Sequence, residues 1–118
     1  MAHRPVMPRI ALALMAACAA CSGDVTGGSV EGPELYARLC TSCHGPDGKP
    51  PPALELRLGV RDLTAPAMRA RITPALVERQ VRRGSDTQLM PSFEKMLSAA
   101  QIKALSEYVA SPAFLERR

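Results

Sequence analysis

Residues 40 to 44 read Cys40-Thr41-Ser42-Cys43-His44, and this C-x-x-C-H spacing is the attachment signature of c-type haem. The spacing has a chemical reason. Two thiols three positions apart can add to the two vinyl groups at one edge of a haem, and the adjacent imidazole is then delivered beneath the ring to ligate the iron. The competing readings are a thioredoxin-like dithiol, half of a zinc site and a structural disulfide. A thioredoxin-like motif follows a strand in a βαβ pattern, and no such pattern surrounds residue 40. A zinc site needs two more ligands, yet beyond residue 21 the chain has no other Cys or His. The earlier Cys18-Ala19-Ala20-Cys21 lacks the following His, so the sequence carries one haem motif.

With His44 as one axial ligand, the other position falls to Met, Lys, the N-terminus or water, or stays open. Three methionines follow the N-terminal segment: Met68, Met90 and Met96. Met90 lies in Gln88-Leu89-Met90-Pro91-Ser92-Phe93, where Pro91 forces an extended backbone at Met90 and lets it present its sulfur inward. Met96, in the short apolar stretch from Phe93 to Leu97, is expected in the core as a gap-filler. Met68, between Ala67 and Arg69, is expected to pack or lie at the surface.

Around the motif, Gly32, Tyr36 and Cys40 stand at four-residue spacing, and near the C-terminus Leu105 and Tyr108 stand three apart. With these residues the stretch from Gly32 to Ala110 resembles the class I c-type cytochromes, and its His44-to-Met90 interval is similar to that of their compact bacterial members. The resemblance implies an all-α cytochrome c fold, with three to four short helices packed around one covalently attached haem. It implies that the first and last helices cross, with the small Gly32 allowing close approach. It also implies that a proline carbonyl after the His accepts the ring N–H, fixing the imidazole; Pro52 or its neighbour Pro51 is the candidate. The expected haem-binding set is Cys40, Cys43, His44, Met90 and Pro52, with His44 and Met90 on the iron.

The helices are also legible without that likeness. Pro33 fits the first turn of a helix carrying Glu34, Leu35, Tyr36 and Leu39 into the haem motif. Thr73-Pro74 opens a second, with Leu76, Val77 and Val81 as apolar positions and Gly84 as its stop. Ser98 and Gln101 form a capping box for a third, Leu97 and Ile102 its hydrophobic staple, and Ser111-Pro112 its end. On it Ile102, Leu105, Tyr108 and Val109 recur at helical spacing. Pro50-Pro51-Pro52 reads as loop, and no strand alternation is evident.

The chain has 118 residues, 47 % hydrophobic but only 3 % aromatic, with no Trp and a formal charge of +4. Length excludes a TIM barrel, a two-domain dehydrogenase or a kinase. A domain this small buries about 60–70 % of its unfolded surface, so a buried haem would supply the large flat apolar body that so few aromatics cannot. Arg4 and Arg9 precede the apolar run Ile10 to Ala17, which is the grammar of an export signal over residues 1–21; Ser22-Gly23-Asp24 closes the run too early for a spanning helix. Two small-residue-then-Cys sites, ending at Cys18 and Cys21, resemble the lipobox of bacterial lipoproteins; plain cleavage after small residues is the alternative. Residues 22–31 are small, polar and Gly-rich and read as a flexible tether of ~17 Å, and the cytochrome domain is expected over 32–118.

The expected function is single-electron transfer by an exported, periplasmic or cell-envelope monomer, lipid-anchored and facing membrane-associated redox partners. Two axial side chains leave no position for substrate, which disfavours an enzyme, and a thioether ligand raises the potential. The alternative is a tethered accessory subunit of a larger dehydrogenase or oxidase. Residues 57–83 carry seven arginines against Asp62 and Glu78. Without interleaved aromatics these do not read as a nucleic-acid site; they read as solvated faces, haem-propionate partners and, for some, a docking face for an acidic redox partner.

Overall fold

A computed structural model describes residues 24–116; the expected export signal, its two cysteine sites and the start of the expected tether lie outside the described residues. Those residues are all-helical. The main helices are α1 (Gly32–Leu39), α5 (Pro74–Arg83) and α6 (Ala99–Ala110), with the shorter α2 (Thr41–His44), α3 (Pro52–Leu58) and α4 (Pro66–Arg69) between α1 and α5 and a 3₁₀ turn at Pro112–Leu115. The three helices expected from the sequence are thus the three longest. The short ones share a physical origin: Pro52, Pro66 and Pro112 each occupy the opening turn of an element, as Pro33 and Pro74 do in α1 and α5. There the missing N–H is no loss and the fixed φ is already helical. Pro52 therefore begins a helix where the triple proline reads as loop.

The core is built on α6, which packs against both α1 and α5. Its stripe is buried as the periodicity predicts: Ile102 is fully buried, Leu105 1 %, Val109 5 % and Tyr108 9 % exposed, against fully buried Leu35 and Tyr36 of α1. Each such side chain contributes about 1.5–3 kcal/mol by leaving water. A Cβ on Gly32 would lie 2.5 Å from Tyr108 Cβ and 2.6 Å from the Ala104 carbonyl oxygen, so only glycine lets the two helices approach this closely. All four aromatic residues are buried. Tyr36, Tyr108 and Phe114 meet edge-to-face, with centroids 5.0 to 6.3 Å apart, within the favourable range for such pairs.

The ends of α6 are secured from outside the helix. At its start the capping box forms in full, with Ser98 Oγ accepting from the Gln101 amide and Gln101 Oε1 accepting from the Ser98 amide. At its end the Arg69 guanidinium donates to the carbonyls of Val109, Ala110 and Ser111 at 2.8 to 3.2 Å and lies 5.6 Å from the Phe114 ring centroid. Those carbonyls have no partner within the helix, and a cation there also meets the negative end of its dipole. Arg69 is a structural clamp, not one of the free cations that the arginine-rich stretch suggests.

Residues 24–31 depart from the expected tether. Asp24 accepts hydrogen bonds from the Thr26 amide and hydroxyl and from the Gly28 amide, and the Thr26 bonds hold its carboxyl below the ordinary carboxylate range. Thr26 is only 2 % exposed, and Gln101 Nε2 donates to Thr26 Oγ1 at 3.2 Å and to the Ser29 carbonyl at 2.8 Å. The folded unit therefore includes residues 24–31, ahead of the boundary expected at residue 32. Asp, Thr and Gly favour compact turns as readily as linkers; Gln101 gives this turn a surface to dock on.

Candidate haem-binding site

α1 delivers the motif directly. The helix breaks at Cys40, with φ −115° and ψ −28°, and α2 resumes at Thr41. The amides of Cys43 and His44 both donate back to the Cys40 carbonyl, at 3.3 and 2.9 Å. Residues three and four apart in such a turn share one face, so both thiols and the imidazole are grouped by local backbone alone. Tyr36 ties this turn to the core, its hydroxyl donating to the Gly45 carbonyl at 2.8 Å.

The two thiols are free, so no disulfide joins them. Burial, with Cys43 close by, pushes the Cys40 thiol up to about 12. Cys40 is half-buried and Cys43 exposed. Among the described residues no cluster of three His, Cys, Asp or Glu is arranged to hold a metal ion. The zinc reading thus has no further ligands.

His44 Nδ1 lies 3.2 Å from the Arg61 carbonyl oxygen. A carbonyl only accepts, so the ring proton sits on Nδ1 and the Nε2 lone pair is left for a metal. Burial lowers the His44 pKa, outweighing the bond to Arg61 that favours the charged form; the neutral imidazole is the ligating one. This bond corrects the expectation for Pro52 and Pro51. The Pro51 carbonyl accepts from the Leu54 and Glu55 amides at the start of α3, and Pro52 is the first residue of that helix. The ring's partner instead comes from a loop held by Asp62, whose Oδ1 accepts from the Thr64 amide and hydroxyl at 2.8 and 2.6 Å, and by the Leu63 amide donating to the Gly48 carbonyl.

The three candidate methionines separate by environment. Met96 is 46 % exposed and so is not the gap-filler its apolar neighbours suggest: the turn after Phe93 buries Phe93 and Leu97 and leaves it outside. Met68 is half-buried and lines a surface hollow with Arg61 and Arg71. Met90 alone packs against the core, in a partly buried set that also holds Cys40, Leu63, Ile72 and Val77. Its backbone is fixed at both ends, the amide donating to Ser85 Oγ at 3.0 Å and the carbonyl accepting from the Ser85 amide at 2.9 Å. Gly84, at φ 72°, makes this pairing possible, since a Cβ there would lie 2.5 Å from the Met90 oxygen. The Phe93 amide then donates to the Val81 carbonyl and Ser92 Oγ to that of Arg82, binding the Met90 segment to the end of α5.

These features fit a covalent haem: two unbridged thiols, a neutral imidazole with its Nε2 lone pair left over, and partly buried apolar side chains packed on the core, Cys40 and Met90 among them. Fold and site together define a small c-type cytochrome. A family model described as cytochrome c oxidase, cbb3-type, subunit III matches residues 29–109, and the chain belongs to that family. Among solved structures it is similar to KustC0563, a c-type cytochrome, at 30 % identity and a TM-score of 0.60, over 68 % of this chain and 94 % of that one. No curated protein matches the sequence. The chain is accordingly a haem c protein of electron transfer.

Three features of the site escape a reading of the sequence: the Arg61 carbonyl, Tyr36 as the brace of the haem turn, and Phe114. The first is a backbone atom and leaves no mark on residue identity. A signal existed for Phe114, because an aromatic in a chain with only four is rarely left in water.

Proposed function

We propose that this protein carries single electrons outside the cytoplasm through an iron held by His44 and Met90, and that a lipid on Cys18 or Cys21 keeps it at a membrane, where it exchanges electrons with membrane-associated proteins. The observation that carries the ligand assignment is that Met90, alone of the three methionines, packs partly buried against the core, with its amide and its carbonyl both pinned by Ser85. When bound, the haem iron supplies a one-electron couple. The chain's part is to hold the ligands still. Arg61 orients the imidazole, and the Ser85 pairing and Gly84 fix the backbone beneath the thioether. A thioether is a weak donor to ferric iron, which favours the reduced state, as does burial among apolar side chains. With both axial positions filled, no site remains for a substrate.

A second reading, an accessory subunit that passes electrons into a larger oxidase, is favoured by the match to the cbb3-type oxidase subunit III family. Both are tested by one preparation. Membranes solubilised in mild detergent yield the free cytochrome if it is a shuttle and a stoichiometric complex if it is a subunit. In either case the ferric protein should show the weak long-wavelength band of Met ligation and resist CO when reduced. High-spin ferric bands and ready CO binding would overturn the ligand assignment.

A further inference from the structure

The docked segment 24–31 changes what a lipid anchor would do. Val25 and Val30 on it are 47 % and 56 % exposed, although the turn between them is fixed to α6 through Gln101. Beside them the exposed Arg38 lays its guanidinium against Gly27, within electrostatic reach of Asp24. From Cys21 to Asp24 the chain spans at most about 11 Å when fully extended, and from Cys18 at most about 21 Å. A domain of this size is about 30 Å across. With residues 24–31 docked, neither linker is long enough to let the far side of the domain reach the bilayer.

We propose that the face formed by residues 25–30 and the first turn of α6 lies on the lipid surface, Val25 and Val30 entering the interface and Arg38 facing phosphate headgroups. This rests on the lipid-anchor reading above. The occupant is the bilayer itself, because a short linker ending at this face delivers it there and leaves little room for a protein between them. The haem domain then stands in one fixed orientation to the membrane, where a free tether would let it tumble.

The test uses the acylated holoprotein on vesicles of phosphatidylethanolamine and phosphatidylglycerol, compared by hydrogen exchange with a C18S/C21S holoprotein in solution. Amides of residues 25–30 and 99–102 should exchange at least tenfold more slowly on vesicles, with α5 unchanged. V25S/V30S should abolish that protection while the acyl chain and the visible spectrum are retained. Equal exchange on vesicles and in solution, with acylation present by mass spectrometry, would overturn the orientation and leave the anchor standing. An unacylated N-terminus would overturn both.

Discussion

The α1–α6 crossing and the partly buried apolar side chains that include Cys40 and Met90 are two parts of one small core, and they are finished differently. At the crossing, Leu35, Tyr36, Ile102 and Leu105 are at most 1 % exposed, the rings of Tyr36, Tyr108 and Phe114 interlock, and Gly32 removes the last obstacle to contact. Cys40, Leu63, Ile72, Val77 and Met90, by contrast, pack against the core but remain partly open. Polypeptide completes the first; under the proposed ligation, haem covers the second. A domain with four aromatic residues sets three of them against one another, and the proposed haem supplies apolar bulk elsewhere.

The strongest way to break this comparison is to remove the haem. C40A/C43A should abolish covalent haem and, with it, cooperative folding, seen as loss of the haem adduct by mass and of native helical circular dichroism; an apo-protein with a native spectrum would show that the second region does not need its cofactor. Damage to the crossing should act through stability alone. Gly32→Val drives two methyl groups into Tyr108 and the Ala104 carbonyl and should cost about 3 kcal/mol, read from the denaturant midpoint, while the fraction that folds keeps an unchanged haem spectrum. Arg69→Ala strips three carbonyls at the end of α6 of a charged donor and should cost about 2 kcal/mol, with faster amide exchange in the last turn of α6 and at Phe114. Met96→Ala, at an exposed position, should move stability by no more than about 0.5 kcal/mol and leave the spectrum alone.

The two regions also differ in how far the sequence disclosed them. The crossing was nearly all legible: helical spacing marks the stripe Ile102, Leu105, Tyr108 and Val109, and the resemblance to class I c-type cytochromes implies that the first and last helices meet at Gly32. Gly32, Tyr36, Leu105 and Tyr108 are named by position, and Ser98 with Gln101 marks the start of α6. The haem turn was legible in Cys40, Cys43 and His44, whose grouping needs only one helical turn. What surrounds them was not. The partner of His44 is the Arg61 backbone, placed by an Asx turn at Asp62, whereas the prolines that invite the assignment are engaged in starting α3. Met96 misleads because burial in an irregular turn is set by the turn's direction, which carries no period. Residues 24–31 read as linker because docking depends on Gln101, more than seventy positions away.

The proposed ligation sets Met90 with His44 on the iron. The most direct measurement is the ferric and ferrous-CO spectrum, with the reduction potential, of Met90→Ala beside those of the unaltered protein. Loss of the long-wavelength thioether band, ready CO binding and a lower potential are expected in the variant. An unchanged spectrum and potential in Met90→Ala would contradict the ligation.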